Sequence, residues 1–341
     1  MDLNIVWFIL IAVLFIGYFV LEGFDMGVGI LLPFIAKTDI RRRVVINTIG
    51  PHWDGNEVWL LTAGGAMFAA FPHWYATVFS GFYLPLFLIL IGLILRGAAL
   101  EFRSKDENPK WRSLWDWAIF VGSLLPALLW GVAFADFILG VPVDASKIFA
   151  GTFFDLIPPL ALLGGVVSLL MITFHGAIFL SLKTTEPLSS DARRWASRLW
   201  LPALIALALF VGLSLGLTDI LAGLQVPPAL VIVLAVLAVV AMLAAGLMVR
   251  QKRDGTAFIA MVVTILLSVA TIFVSLFPRV LVSSLDPAFS LTIYTAASGP
   301  ATLKTMSIVA LILVPIVLAY QGWSYWIFRK RLSEKSEALH Y

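Results

Sequence analysis

The sequence predicts an all-α integral membrane protein of about nine transmembrane helices, one of them short, with the N-terminus outside and the C-terminus cytoplasmic. Three observations carry that reading. Of 341 residues, 61% are hydrophobic and only 13% charged, where a soluble domain carries about 25%, and the mean hydropathy is +1.00. Apolar runs close to the roughly 20 residues that cross a bilayer recur along the whole chain. The basic residues gather in every second segment between those runs. These properties exclude a soluble globule, a disordered chain and a nucleic-acid binder of the basic-patch kind.

The sequence holds no cysteine. Disulfides, cysteine-ligated zinc, iron–sulfur clusters and thiol catalysis are therefore excluded for this chain. Met1-Asp2-Leu3-Asn4 lacks the basic start of a cleavable signal, and the apolar stretch after it is too long for one, so it reads as a retained first span.

The runs lie at residues 5–35, 56–71, 74–101, 113–139, 153–182, 199–219, 228–249, 257–278 and 303–328, in one transmembrane domain covering 1–341. The second run is the short one. Its length allows only about 24 Å at the helical rise, so it is tilted, re-entrant or placed where the protein is thin. A tight turn at Pro72, among aromatics suited to a membrane surface, leads into the third. Segments 36–55, 102–112, 183–198, 250–256 and 329–341 hold nineteen of the 23 lysines and arginines. The other side holds Lys147, Arg279 and Lys304, and Arg96 lies within a span. The positive-inside rule places the five basic segments in the cytoplasm and supports counting 56–71 as a crossing, because with eight crossings 36–55 and 102–112 fall on opposite sides. Residues 187–191 and 251–255 read as loops.

Ionisable groups inside spans are costly and face the protein interior. Glu22 and Asp25, three residues apart in the first span, share a helix face. Two neighbouring carboxylates in a dry site do not both ionise easily, a property that suits a proton carrier; a hydrogen-bonded helix contact is the other reading. Gly23 and Gly27 let a second helix come close. Asp54 and Glu57, at the cytoplasmic mouth of the short span, have capping-box spacing. They either cap the helix or gather protons and pass them inward. Arg96, about 9 Å below the cytoplasmic end of its span, either snorkels to the surface or pairs with Asp25 or Asp54. Glu101, at the end of its span, reads as solvated, and Asp116, Asp136, Asp155 and Asp219 read as interfacial.

Of four histidines, His340 is in the tail, His73 in an outer turn and His52 in an inner loop. Only His175 is well inside a span, and it reads as hydrogen-bonded to a neighbour rather than as a ligand. The chain is thus poorly supplied to hold several haems, and no cluster suggests a metal site. Trp53, Trp59 and Trp74 flank the short span, as packing residues or as the lining of a path for an apolar gas.

The segments Gly23-Phe24-Asp25-Met26-Gly27 and Gly50-Pro51-His52-Trp53-Asp54-Gly55-Asn56-Glu57-Val58-Trp59 resemble the signatures of subunit II of cytochrome bd-type quinol oxidases. Ala63-Gly64-Gly65-Ala66, Phe79-Ser80-Gly81-Phe82-Tyr83, Arg96-Gly97, Phe102-Arg103 and His175-Gly176-Ala177 extend the resemblance. It covers the whole chain in length and span order, with its sharp motifs in the first third and at His175. The resemblance implies two four-helix bundles plus a peripheral helix, in a complex of the prokaryotic plasma membrane. That complex oxidises quinol and reduces oxygen to water, building a proton gradient without pumping. Two b-type haems, one d-type haem and the quinol site are expected in the partner subunit I, and none of these cofactors in this chain. The resemblance leaves open a small single-span accessory subunit; the other partners expected are membrane lipids, and nucleic acid is not among them. It also implies a proton route through Asp25, Asp54 and Arg96, with Glu22 and Glu57 beside them. Glu57 departs from members that carry glutamine, and either adds a proton site or caps the helix. A secondary proton-coupled transporter and a pure assembly scaffold are the alternatives. Against the transporter, no repeated pair of broken spans is evident.

Overall fold

A computed structural model of the protein describes residues 2–221, 225–335 and 339. The first helix, α1 (Leu3–Ile35), is apolar almost without interruption, and the Asp2 side chain accepts the Asn4 amide at its start. A short helix, α2 (Asp39–Ile49), lies in the first basic segment. It is followed by α3 (Trp53–Ala70), α4 (Pro72–Gly81), α5 (Tyr83–Phe102) and α6 (Pro109–Leu139). The chain continues through α7 (Pro159–Lys183), α8 (Leu188–Leu217), α9 (Pro228–Arg250), α10 (Asp254–Leu276) and α11 (Pro300–Ile327). Proline sits in the first turn of α4, α6, α7, α9 and α11. There its fixed φ suits a helix and its missing N–H leaves nothing unsatisfied. Between α10 and α11 a two-stranded antiparallel sheet, β1 (Arg279–Leu281) with β2 (Leu291–Thr292), closes the face opposite the basic one.

Eight of the described helices are long and apolar enough to cross a membrane: α1 and α5 to α11. The ninth expected crossing is α3, whose 18 residues carry Asp54 and Glu57. Its ends nevertheless reach opposite ends of the molecule. Asn56 meets Tyr325 near the basic end of α11, and the Ala69 and Ala70 carbonyls accept from Ser298, just before α11 begins.

Several expected boundaries need correction. The third span, expected unbroken over 74–101, is two helices with Phe82 between them. The span expected from 153 starts at Pro159, because the Pro158-Pro159 pair ends the preceding 3-10 turn at residues 153–156 and opens the helix. Residues 188–191, expected in a loop, form the first turn of α8, where Asp191 favours the positive helix start. The loop expected to reach residue 255 ends at Arg253, and Asp254 opens α10.

Among the described helices α1, α3, α5 and α6 form one group through the α1–α3, α1–α6 and α5–α6 contacts. Each of α7, α8, α9 and α10 packs on the next, and α10 returns to α7. Helix α6 joins the groups by packing on α7, and α1 by packing on α7 and α10. Helix α11 touches chiefly α1 and α3, and only 6% of its membrane-length window is buried. Helix α11 thus lies at the edge, as expected of a peripheral helix, whereas α6 and α7 pack across the two groups. The α1–α7 contact is close because both helices present glycine. A Cβ on Gly27 meets the Ile172 carbonyl at 2.1 Å, and one on Gly176 meets the Gly27 backbone at 2.3 Å.

Candidate functional site

Four helices converge on one buried polar cluster near the basic face. Helix α1 supplies Glu22 and Asp25, both 0% exposed, because its residues 22–32 are wrapped by α3, α6 and α7. Helix α5 supplies Arg96, also 0% exposed. Snorkelling is thereby ruled out. The guanidinium forms a buried ion pair with Glu22 and a second with Glu57 of α3 at 3.2 Å, the Glu57 side chain being 22% exposed. The expected direct pairing of Arg96 with Asp25 or Asp54 does not form: Glu22, one turn before Asp25, takes that place. Arg96 Nε and Nη1, and one oxygen of Asp25, have no hydrogen-bond partner among the described residues. Asp25 is nonetheless within the field of Arg96.

Asp25 instead accepts from Asn56 Nδ2 at 2.7 Å. Asn56, fully buried in α3, is held from the other side by α11: Tyr325 Oη donates to its Oδ1 at 2.7 Å and Gln321 Nε2 at 3.2 Å. The Trp59 indole N–H donates to Gln321 Oε1 at 2.9 Å. His52 stacks on Tyr325, with ring centres 4.2 Å apart and planes at 6°. Burial pushes the His52 imidazole down to about 4, and the charge of Lys183 acts in the same direction, so the ring is neutral at neutral pH.

Asp54 stays outside the cluster. It is exposed in the first turn of α3, with no hydrogen bond or ion pair among the described residues. The helix begins at Trp53 with His52 as its N-cap residue, so the Asp54–Glu57 capping box does not form. Glu57 is an ion-pair partner, and it borders a cleft of about 500 Å³ whose walls, among them Leu60, Phe79 and Leu93, are otherwise apolar. Trp53, Trp59 and Trp74 do not line this cleft. Trp59 packs on Gly17, Trp53 on Gly97 and Trp74 on Phe71 and Phe137.

Two acids expected at the interface are buried. Asp116, 3% exposed, takes Arg103 at 2.6 Å and Arg42 at 2.7 Å, while Asp39 takes Arg103 and Arg112. These pairs tie α2 to the ends of α5 and α6. Asp136, 1% exposed, has no partner for either carboxyl oxygen among the described residues. Glu101, Asp155, Asp219 and His73 are exposed as expected, and His340 lies outside the described residues.

His175 is fully buried between α1 and α10. Its Nε2 is bonded to the Val20 carbonyl at 2.9 Å and its ring stacks on Phe258. Its Nδ1 has no hydrogen-bond partner among the described residues, and among them no three His, Cys, Asp or Glu side chains group as metal ligands.

Reasoning from the sequence missed Gln321 and Tyr325 as parts of this site. The available signal was a carboxamide inside an apolar span, which is costly unless bonded.

Comparison with known proteins bears on the whole chain. The family model for cytochrome bd terminal oxidase subunit II matches residues 3–328. The cytochrome bd ubiquinol oxidase subunit 2 of Bacillus subtilis is 46% identical over 334 residues, covering 98% of each chain. The probable cytochrome oxidase subunit 2 of Haemophilus influenzae is 42% identical over 356 residues, 95% of this chain and 93% of that one. The cytochrome bd-I ubiquinol oxidase subunit 2 of Escherichia coli K12 is 38% identical over 370 residues, 98% of this chain and 96% of the other. A chain of the bd oxidase from Geobacillus thermodenitrificans superposes with a TM-score of 0.79 over 96% of this chain and 99% of that one, at 18% identity, and shows the fold.

Proposed function

The chain belongs to the cytochrome bd terminal oxidase subunit II family, and from that membership and the buried cluster we propose that it feeds protons to a haem-bearing partner. It is a subunit of a terminal quinol oxidase, an oxidoreductase, and a multi-pass protein of the bacterial plasma membrane. The complex contains subunit I and haem. The transporter alternative finds no support in these relatives.

In the proposed reading the chain is one transmembrane domain with its basic face in the cytoplasm. The two haems b, the haem d and the quinol site lie in subunit I. Oxygen is reduced there to water, and the haems supply the electron transfer; membrane lipids surround the complex, with room left for a small single-span subunit. This chain's residues move and hold protons. Asp54, exposed at the mouth, collects them. Glu57, partly exposed and paired with Arg96, links the mouth to the interior. Glu22 and Asp25 take the proton onward, and Arg96 offsets the repulsion among these two buried acids and the partly exposed Glu57.

The observation that carries the reading is that α1, α3 and α5 each bring charged side chains to one buried point. Hydrocarbon-facing positions do not retain such groups. The test is oxygen consumption by the assembled complex. Asp25→Asn is expected to slow turnover at least about tenfold and Asp54→Asn about twofold, both at unchanged haem content. The smaller effect follows from Asp54's exposure, because water can replace it as collector. Normal turnover in both variants would leave only the scaffold role.

A further inference from the structure

We propose that the Trp59 indole, acting through Gln321, fixes which end of the Asn56 amide faces Asp25, so that Trp59 and Gln321 are positioning residues for the proton route. This rests on the reading of Asp25 as a proton carrier.

An indole N–H donates and never accepts. The Gln321 atom 2.9 Å from Trp59 Nε1 is therefore the oxygen. The other end of that carboxamide is then the NH₂ group, which only donates. It meets Asn56 at 3.2 Å, so the Asn56 atom facing α11 is Oδ1. Tyr325 Oη donates to the same oxygen at 2.7 Å. With its oxygen end held in this way, Asn56 has only Nδ2 to present to Asp25, at 2.7 Å. The direction of every bond in the chain Trp59–Gln321–Asn56–Asp25 thus follows from its first member.

That direction matters chemically. A donor aimed at a carboxyl group favours the ionised form, whereas an amide oxygen in its place can be satisfied only by the protonated acid. An Asn56 turned end for end would change the proton affinity of Asp25 without moving a helix. Trp59 is itself held in place, because its ring lies against Gly17, where a Cβ would fall 2.1 Å from Trp59 Cε3. The peripheral helix, with little of its surface buried, thereby acquires a role at the centre of the molecule.

The test uses the assembled oxidase with its haem partner. Trp59→Phe removes the N–H together with part of the indole ring that lies against Gly17, so its result is read beside that of Gln321→Met, which leaves the ring in place. Gln321→Met keeps the length and removes the relay. Tyr325→Phe removes one donor and leaves the relay intact. Three readings are taken: haem content, turnover against pH, and the infrared carboxyl band that Asp25→Asn abolishes. At parental haem content, Trp59→Phe and Gln321→Met are each expected to displace the alkaline limb of the turnover profile by about one pH unit, a tenfold change in proton affinity. In both, the Asp25 band should move to higher frequency, as a carbonyl that loses a donor does. Tyr325→Phe should shift both readings less. Profiles and bands in Trp59→Phe and Gln321→Met that coincide with the parent overturn the proposal. If one of the two fails to assemble, the other decides. Normal turnover in Asp25→Asn defeats the proton route instead, and the infrared band still reports whether the relay orients Asn56.

Discussion

At the residue scale, the cluster shows how a charge survives in a bilayer. Arg96 has no exposed surface, and two carboxylates offset its charge. Desolvating such a pair costs much of what their attraction gains, but removing one partner is worse, because it strands the other. Arg96→Leu is therefore expected to destabilise the subunit by about 3–5 kcal/mol, read as a lowered unfolding temperature and poor assembly. Adding Glu22→Leu to it should recover part of that loss, and strictly additive losses would show that the two residues do not interact. The family resemblance puts Asp54 and Asp25 on one proton route, yet one is exposed and the other is fully buried beside Asn56. Spacing along the chain could not separate them, because the difference lies in what each one faces.

At the element scale, the helices serve the site by how closely they approach. The α1–α7 contact at Gly27 and Gly176 fixes the stretch of α1 that carries Glu22 and Asp25. Gly27→Leu has no room against the Ile172 carbonyl and is expected to cost on the order of 3 kcal/mol by overpacking. The measurable sign is loss of haem-loaded complex from the membrane, whereas Leu at Gly216, which has open space around it, should be tolerated. Helix α3 was recognisable as the short element from its length and its acids. The break between α4 and α5 at Phe82 was not, because both sides of it are apolar and no charge marks it. Helix α11 was legible as a span and not as a contributor, because its decisive residues, Gln321 and Tyr325, are uncharged.

At the scale of the whole molecule, the asymmetry of basic residues predicts sidedness. The sequence contains no cysteine, so a single introduced thiol reports one position without background. In intact cells, a membrane-impermeant thiol reagent is expected to label Ser146→Cys and Asp286→Cys. It should spare Lys105→Cys and Lys252→Cys until the membrane is opened. The reverse pattern would invert the orientation and place the Asp25 cluster on the wrong side for uptake from the cytoplasm.

The amino-acid sequence by itself determined the class of protein, the order and approximate extent of its spans, the family, and the five ionisable residues worth watching. Those properties follow from composition, run length and local motif, all of which are carried along the chain. The tertiary structure alone decided that Arg96 pairs with Glu22 and Glu57 rather than Asp25, that Asp116 and Asp136 are buried, and that a relay from α11 reaches Asp25 through Asn56. These are contacts between helices as much as 269 residues apart in sequence, as between Asn56 and Tyr325. The direction of a hydrogen bond across such a gap depends on which faces the packing turns together.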